Sequence, residues 1–133
     1  MSRPLDFNSL TDAVSIEICD REILIGGALL SKPHSTGRNM DFFEYVFRNP
    51  NKLLKRADFP ETIKKHLGAK PTTKILNELG FRGAILVAFF PKRSMKSGIM
   101  FRNHVTPKEL EGSGISMETV VGEIIGLIMN NPK

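Results

Sequence analysis

The sequence predicts an α+β domain: a four-stranded, mainly antiparallel sheet of two hairpins, with central short helices and an apolar C-terminal helix packed on it. Three observations carry that expectation. Val14-Ser-Ile-Glu-Ile-Cys19 alternates apolar and polar residues, as a half-buried strand requires. Ala84-Ile-Leu-Val-Ala-Phe-Phe90 is an unbroken apolar run between Gly83 and Pro91, and its length with branched and aromatic members favours a buried strand in mid-sheet. Pro60–Leu67 and Pro71–Leu79 each open on proline and are followed by glycine, the asymmetry of a short helix.

In chain order, residues 1–13 read as a loosely ordered leader, with Pro4, Asp6, Asn8, Ser9 and Asp12 supplying turn chemistry around Leu5, Phe7 and Leu10. The domain proper is expected over 14–133. The strand 14–19 turns tightly at Asp20-Arg21 into a second strand, Glu22–Leu30, where Gly26-Gly27 suggests a bulge or a close backbone approach. A polar loop, Ser31–Arg38, follows. Gly27-Ala-Leu and Gly83-Ala-Ile each lead an apolar run into a loop containing Lys, Ser and Gly, which raises a degenerate two-fold repeat as an alternative organisation.

Asn39 can cap a helix from Met40 to about Arg48, with Asp41 in the first turn and Phe43, Val46 and Phe47 on one face. Asn49-Pro50-Asn51 stops it, and Lys52–Arg56 reads as a short basic helical piece. After the helices at 60–67 and 71–79 and the run 84–90, the loop Pro91–Gly98 carries three positive charges, and Ile99, Met100 and Phe101 begin the return strand. The hairpin therefore presents a basic tip. Pro107–Glu111 is a turn of helix, Gly112-Ser-Gly114 a break, and Ser116 caps a helix from Met117 to Met129. That last helix is apolar nearly all round apart from Glu118, Thr119 and Glu123, so it should be enclosed.

Charge is the feature that points toward function. The chain of 133 residues carries a net charge of +5, but the sign is segregated. Between Arg48 and Lys108 there are fourteen Lys and Arg against three acids, and outside that segment five against eleven. A basic middle between acidic ends points to an acidic partner, nucleic acid first among them. Lys52, Lys55, Arg56, Lys64, Lys65, Lys70, Lys74, Lys92, Arg93, Lys96 and Arg102 would grip phosphates, with Phe101 as the ring most exposed for base stacking. The expected role is a small non-enzymatic nucleic-acid binder. The alternatives are a regulator or inhibitor that docks the same basic face on an acidic protein, and an enzyme or binder of an anionic small molecule at the 31–38 and 91–98 loops.

Other constellations are thin. Lys32, His34, Ser35, Thr36 and Arg38 make a candidate anion site, but the nearby P-loop spacing fails, since Pro33 removes an amide the phosphate cradle would use. Helix-turn-helix is a second reading of 60–79, weakened because its second helix places Lys74 and Asn77 where inward-facing residues are wanted. His34, His66 and His104 are isolated, so no metal or cofactor is expected, and the single Cys19 excludes an intramolecular disulfide. Gly122 and Gly126, four apart, allow either tight packing of the last helix on its own sheet or a homodimer seam. No apolar stretch approaches the ~20 residues of a membrane-spanning helix, and a cytoplasmic location is the expectation.

Overall fold

A computed structural model describes residues 13–33, 39–67, 72–94 and 97–130. The chain is mixed α and β, and its strands form two antiparallel sheets of three strands each, where sequence led us to expect one sheet of four. The first sheet is a meander of β1 (Ile16–Cys19), β2 (Glu22–Ile25) and β3 (Ala28–Ser31). Asp20 and Arg21 turn the chain with φ of 50° and 66°. Gly26 and Gly27 do the same at 57° and 89°, so the glycine pair is a second hairpin turn and not a bulge inside one long strand. The irregularity in pairing falls within β2, between Ile23 and Leu24.

Helix α1 (Asn39–Phe47) buries Met40, Phe42, Phe43 and Val46, the face its spacing predicts. The next segment departs from expectation: Leu53–Leu54 form strand β4, and Arg56–Asp58 a single 3-10 turn, where a basic helical piece was predicted. The cause is non-local. Asn51, at φ 61°, donates its backbone N–H to the Phe101 carbonyl at 2.6 Å and feeds Leu53 and Leu54 into register with Met100 and Ile99. Helices α2 (Glu61–Leu67) and α3 (Thr72–Glu78) match their proline–glycine signals.

The largest correction concerns the apolar run. Residues 83–89 are helix α4 (Gly83–Phe89), not a mid-sheet strand. Ala84, Ile85, Ala88 and Phe89 face the core at helical spacing, and the half-buried Leu86 and Val87 leave no polar side to betray the period. The start of this helix is supplied from elsewhere. Arg82, at the cap position, makes no side-chain cap; instead Glu123 accepts the N–H of Ala84 at 2.8 Å and of Ile85 at 3.2 Å. Gly83, at φ 56°, makes room for it, since an added Cβ would stand 2.9 Å from a Glu123 oxygen. With β3 a strand and α4 a helix, the two-fold repeat also falls.

Strands β5 (Lys92–Ser94) and β6 (Gly98–Met100) complete the second sheet in the order β4-β6-β5, so the basic hairpin exists but is shorter and begins after the helix. A 3-10 turn at Pro107–Leu110 leads to α5 (Met117–Asn130). Helix α5 packs on α4 and β3 and buries Val120, Val121 and Ile124. It is not enclosed, because Ile125 is 39% and Met129 74% exposed. The buried residues form one continuous apolar cluster, centred on the phenylalanines of α1, α4 and the segments beside them.

Segment 101–105 joins the two sheets. Val14 and Val105 exchange both backbone hydrogen bonds at 2.9 Å. The Asn103 carboxamide accepts the Ile16 N–H at 3.1 Å and donates to the Ile16 carbonyl at 3.2 Å, covering the edge of β1 that β2 leaves open. Asn51 repeats the pattern one layer out, its carboxamide bonding the Asn103 N–H and carbonyl at 3.3 and 3.1 Å.

Candidate functional site

The aromatic half of the sequence expectation does not survive. Phe81, Phe89, Phe90 and Phe101 are all 0% exposed. Phe101 lies edge-on to Phe43 at 5.6 Å between ring centroids and against Phe90 at 5.3 Å, deep in the core. It therefore cannot serve as a stacking platform. Phe101 follows Ile99 by two residues and so shares its inward side, a periodicity present in the sequence but masked by the charged Arg102 and polar Asn103 beside it.

The basic residues divide into two sets. Arg93 is half-buried on the inner side of β5, paired with Ile99, and its Nη1 donates to the Phe90 carbonyl at 2.7 Å. Arg102 donates from Nη1 to the Glu109 carbonyl at 3.1 Å and faces that carboxylate at 3.8 Å. Both are committed to holding the chain. Lys64 pairs with Glu61 at 3.3 Å on the surface, a contact of about 0–1 kcal/mol.

The second set is exposed. Register across β4-β6-β5 places Leu53, Met100 and Lys92 in one row on the outer side, and Leu54, Ile99 and Arg93 in the row beneath it. Lys52 and Lys55 bracket β4, so three lysines frame the outward row of this sheet. Two strand spacings of about 4.8 Å separate Leu53 from Lys92, roughly 10 Å between backbones. Arg56 carries the band onward, because its Nη2 donates to the Lys64 carbonyl at 3.3 Å and so lies along α2 beside the exposed Lys65. Among the described residues, the side chains of Lys52, Lys55, Lys65 and Lys92 meet no carboxylate. Two acids of the same segment are partly spent: Asp58 accepts the Lys55 N–H at 2.8 Å and Glu61 holds Lys64. Lys74 is exposed on α3, which packs beside β5.

Lys70 and Lys96 lie outside the described residues, as do His34, Ser35, Thr36 and Arg38 of the candidate anion site, of which only Lys32 is described, exposed at the end of β3. The convergence of the 31–38 and 91–98 loops rests on those same residues. Among the described residues no group of three His, Cys, Asp or Glu side chains could hold a metal ion. No described helix is long and apolar enough to cross a membrane. Gly122 and Gly126 do not pack tightly on a sheet, since a Cβ at either would meet nothing within 4 Å.

Sequence reasoning missed one concavity. Where β3, α3, α4 and α5 meet, Leu30, Ile85 and Leu127 form an apolar wall, and Glu78, Arg82 and Glu123 carry its charge. The signal was Glu123, an acid set among apolar residues and glycine beyond the first turn of the last helix. Comparison of the chain with protein-family models, with curated proteins and with solved structures gave no match.

Proposed function

We propose that this protein is a non-enzymatic binder of nucleic acid that holds the phosphate backbone through the lysine band on its second sheet and α2. The observation that carries the reading is the grouping of Lys52, Lys55, Lys65 and Lys92 on adjoining surface elements without a neutralising carboxylate among the described residues. Burial of every phenylalanine in the basic segment takes base stacking on those rings out of the mechanism, so binding is by charge and shape and is indifferent to sequence. About four phosphate contacts would make affinity fall roughly a hundredfold between ~50 and ~200 mM salt.

The test is fluorescence anisotropy of labelled single- and double-stranded DNA and RNA at those two salt concentrations. The expected result is salt-steep binding that Lys52→Glu/Lys55→Glu/Lys92→Glu removes and Lys108→Glu leaves in place. Absence of binding to every strand at low salt overturns the reading. A second reading, docking on an acidic protein, draws on Leu53, 39% exposed between Lys52 and the Met100–Lys92 row, since an apolar residue framed by lysines suits a protein surface better than a phosphate backbone.

A further inference from the structure

The cleft between β3, α3, α4 and α5 has a volume of about 330 Å³, within the range for small-molecule sites, so a ligand of amino-acid size fits it. Its charges are arranged unusually. Arg82 is fixed by a bond from Nε to the Asn77 carbonyl at 3.2 Å, and among the described residues its two Nη groups bond to nothing. Glu123 lines the same cleft without forming an ion pair to it. Its two oxygens each accept one α4 amide, which holds the carboxylate in place and leaves further lone pairs open. Two carboxylates, Glu78 and Glu123, and one guanidinium thus line one concave surface; Glu78 already accepts from the Asn39 carboxamide at 2.9 Å, so the pair offered to a ligand is Arg82 and Glu123, held apart.

We propose that this cleft binds a small zwitterion, an aliphatic amino acid, with its carboxylate on Arg82, its ammonium on Glu123 and its side chain against Leu30, Ile85 and Leu127. A simple anion would gain Arg82 but meet the charges of Glu123 and Glu78, and a simple cation would gain the carboxylates but leave the Arg82 guanidinium without a partner and facing a like charge. Only a ligand bearing both signs satisfies both walls, and a guanidinium with two unengaged Nη groups is the donor that takes a carboxylate in two parallel bonds. The apolar wall selects a branched aliphatic side chain over a polar one. This inference does not rest on the lysine band.

The experiment is an NMR titration of the full chain, observing methyl groups, with L-leucine as probe and isovalerate and isoamylamine as its two half-charged analogues. Leucine should give saturable shifts at Leu30, Ile85 and Leu127 with a Kd of about 1 mM or tighter, and each analogue should bind at least tenfold more weakly. Arg82→Met should weaken leucine binding by at least tenfold while the remaining spectrum stays dispersed; Arg82→Gln serves as the second variant should Met perturb the fold. No saturable shift up to about 20 mM leucine, an analogue equal to leucine, or unchanged binding in the folded Arg82 variant each overturns the proposal.

Discussion

Glu123→Ala should destabilise the protein by about 2 kcal/mol, and the estimate follows from what the carboxylate holds. It accepts the first two amides of α4 at 2.8 and 3.2 Å, and a hydrogen bond to a charged acceptor is worth about 1.5–3 kcal/mol, the longer one less. A negative charge at a helix start adds about 0.3–1 kcal/mol. Against these, the cap borders an open cleft, so water reaches the freed amides and returns part of the loss. Glu123→Gln keeps one acceptor oxygen but turns an NH2 toward the second amide, and should cost about 1 kcal/mol. Urea unfolding followed by circular dichroism measures both. Gly83→Ala adds a discriminating control, because its Cβ would stand 2.9 Å from a Glu123 oxygen and would also occupy φ 56°. In the Glu123→Ala background the collision disappears and only the backbone strain remains, so the two substitutions should couple by at least about 0.5 kcal/mol. A loss under about 0.5 kcal/mol for Glu123→Ala, or equal losses for Ala and Gln, would refute the capping argument.

Asn103→Ala should cost about 1–3 kcal/mol by freeing the Ile16 N–H and carbonyl, and Asn103→Asp should cost more, because a carboxylate there faces a carbonyl it cannot donate to; hydrogen exchange at the Ile16 amide reads both directly. Gly122→Ala should raise stability by about 1 kcal/mol, since the added methyl meets open space; a fall in stability, or in mass by analytical ultracentrifugation, would reveal a second helix lying against that face. Replacing Asp20-Arg21 with Asn-Gly should stabilise the first hairpin by about 0.5–1 kcal/mol, because both positions hold positive φ that Asn and Gly adopt with less strain; an unchanged melting temperature would contradict it.

What sequence disclosed depended on how local each cause is. The strand Ile16–Cys19 alternates with period two and turns at Asp20-Arg21, so both were legible. Helices α2 and α3 carry their own start and stop residues. The run from Ala84 to Phe90 does not, because seven apolar residues fit a strand or a buried helix equally, and the group that decides for helix arrives from residue 123. Leu53–Leu54 likewise becomes a strand through pairing with residues nearly fifty positions on. The lysine band was half legible: composition announced the charge, but which side chains share a face required the β4-β6-β5 register. The cleft showed in the sequence only as Glu123, since its other walls come from positions scattered between Leu30 and Leu127.

The arginines of the basic segment explain why net charge overstates the exposed basic surface. Arg56, Arg82, Arg93 and Arg102 each donate to a backbone carbonyl, those of Lys64, Asn77, Phe90 and Glu109, and Arg48 pairs with Glu44 at 3.7 Å. A planar guanidinium can serve such a carbonyl and still cover apolar surface with its stem, so these residues fasten element ends together. The lysines Lys52, Lys55, Lys65, Lys74 and Lys92 remain exposed and make no such bonds among the described residues. The excess of positive charge thus separates by residue type into fasteners and field. An ammonium is a strongly hydrated point charge without a fixed fork, so a field built from lysines attracts a polyanion without reading its bases, and its hold should weaken steeply with salt. Changing Lys52, Lys55 and Lys92 to Arg tests that division. Net charge is preserved, so the salt dependence should be retained, whereas a gain in sequence preference would show that the lysine band lacks only the fork geometry needed for base readout.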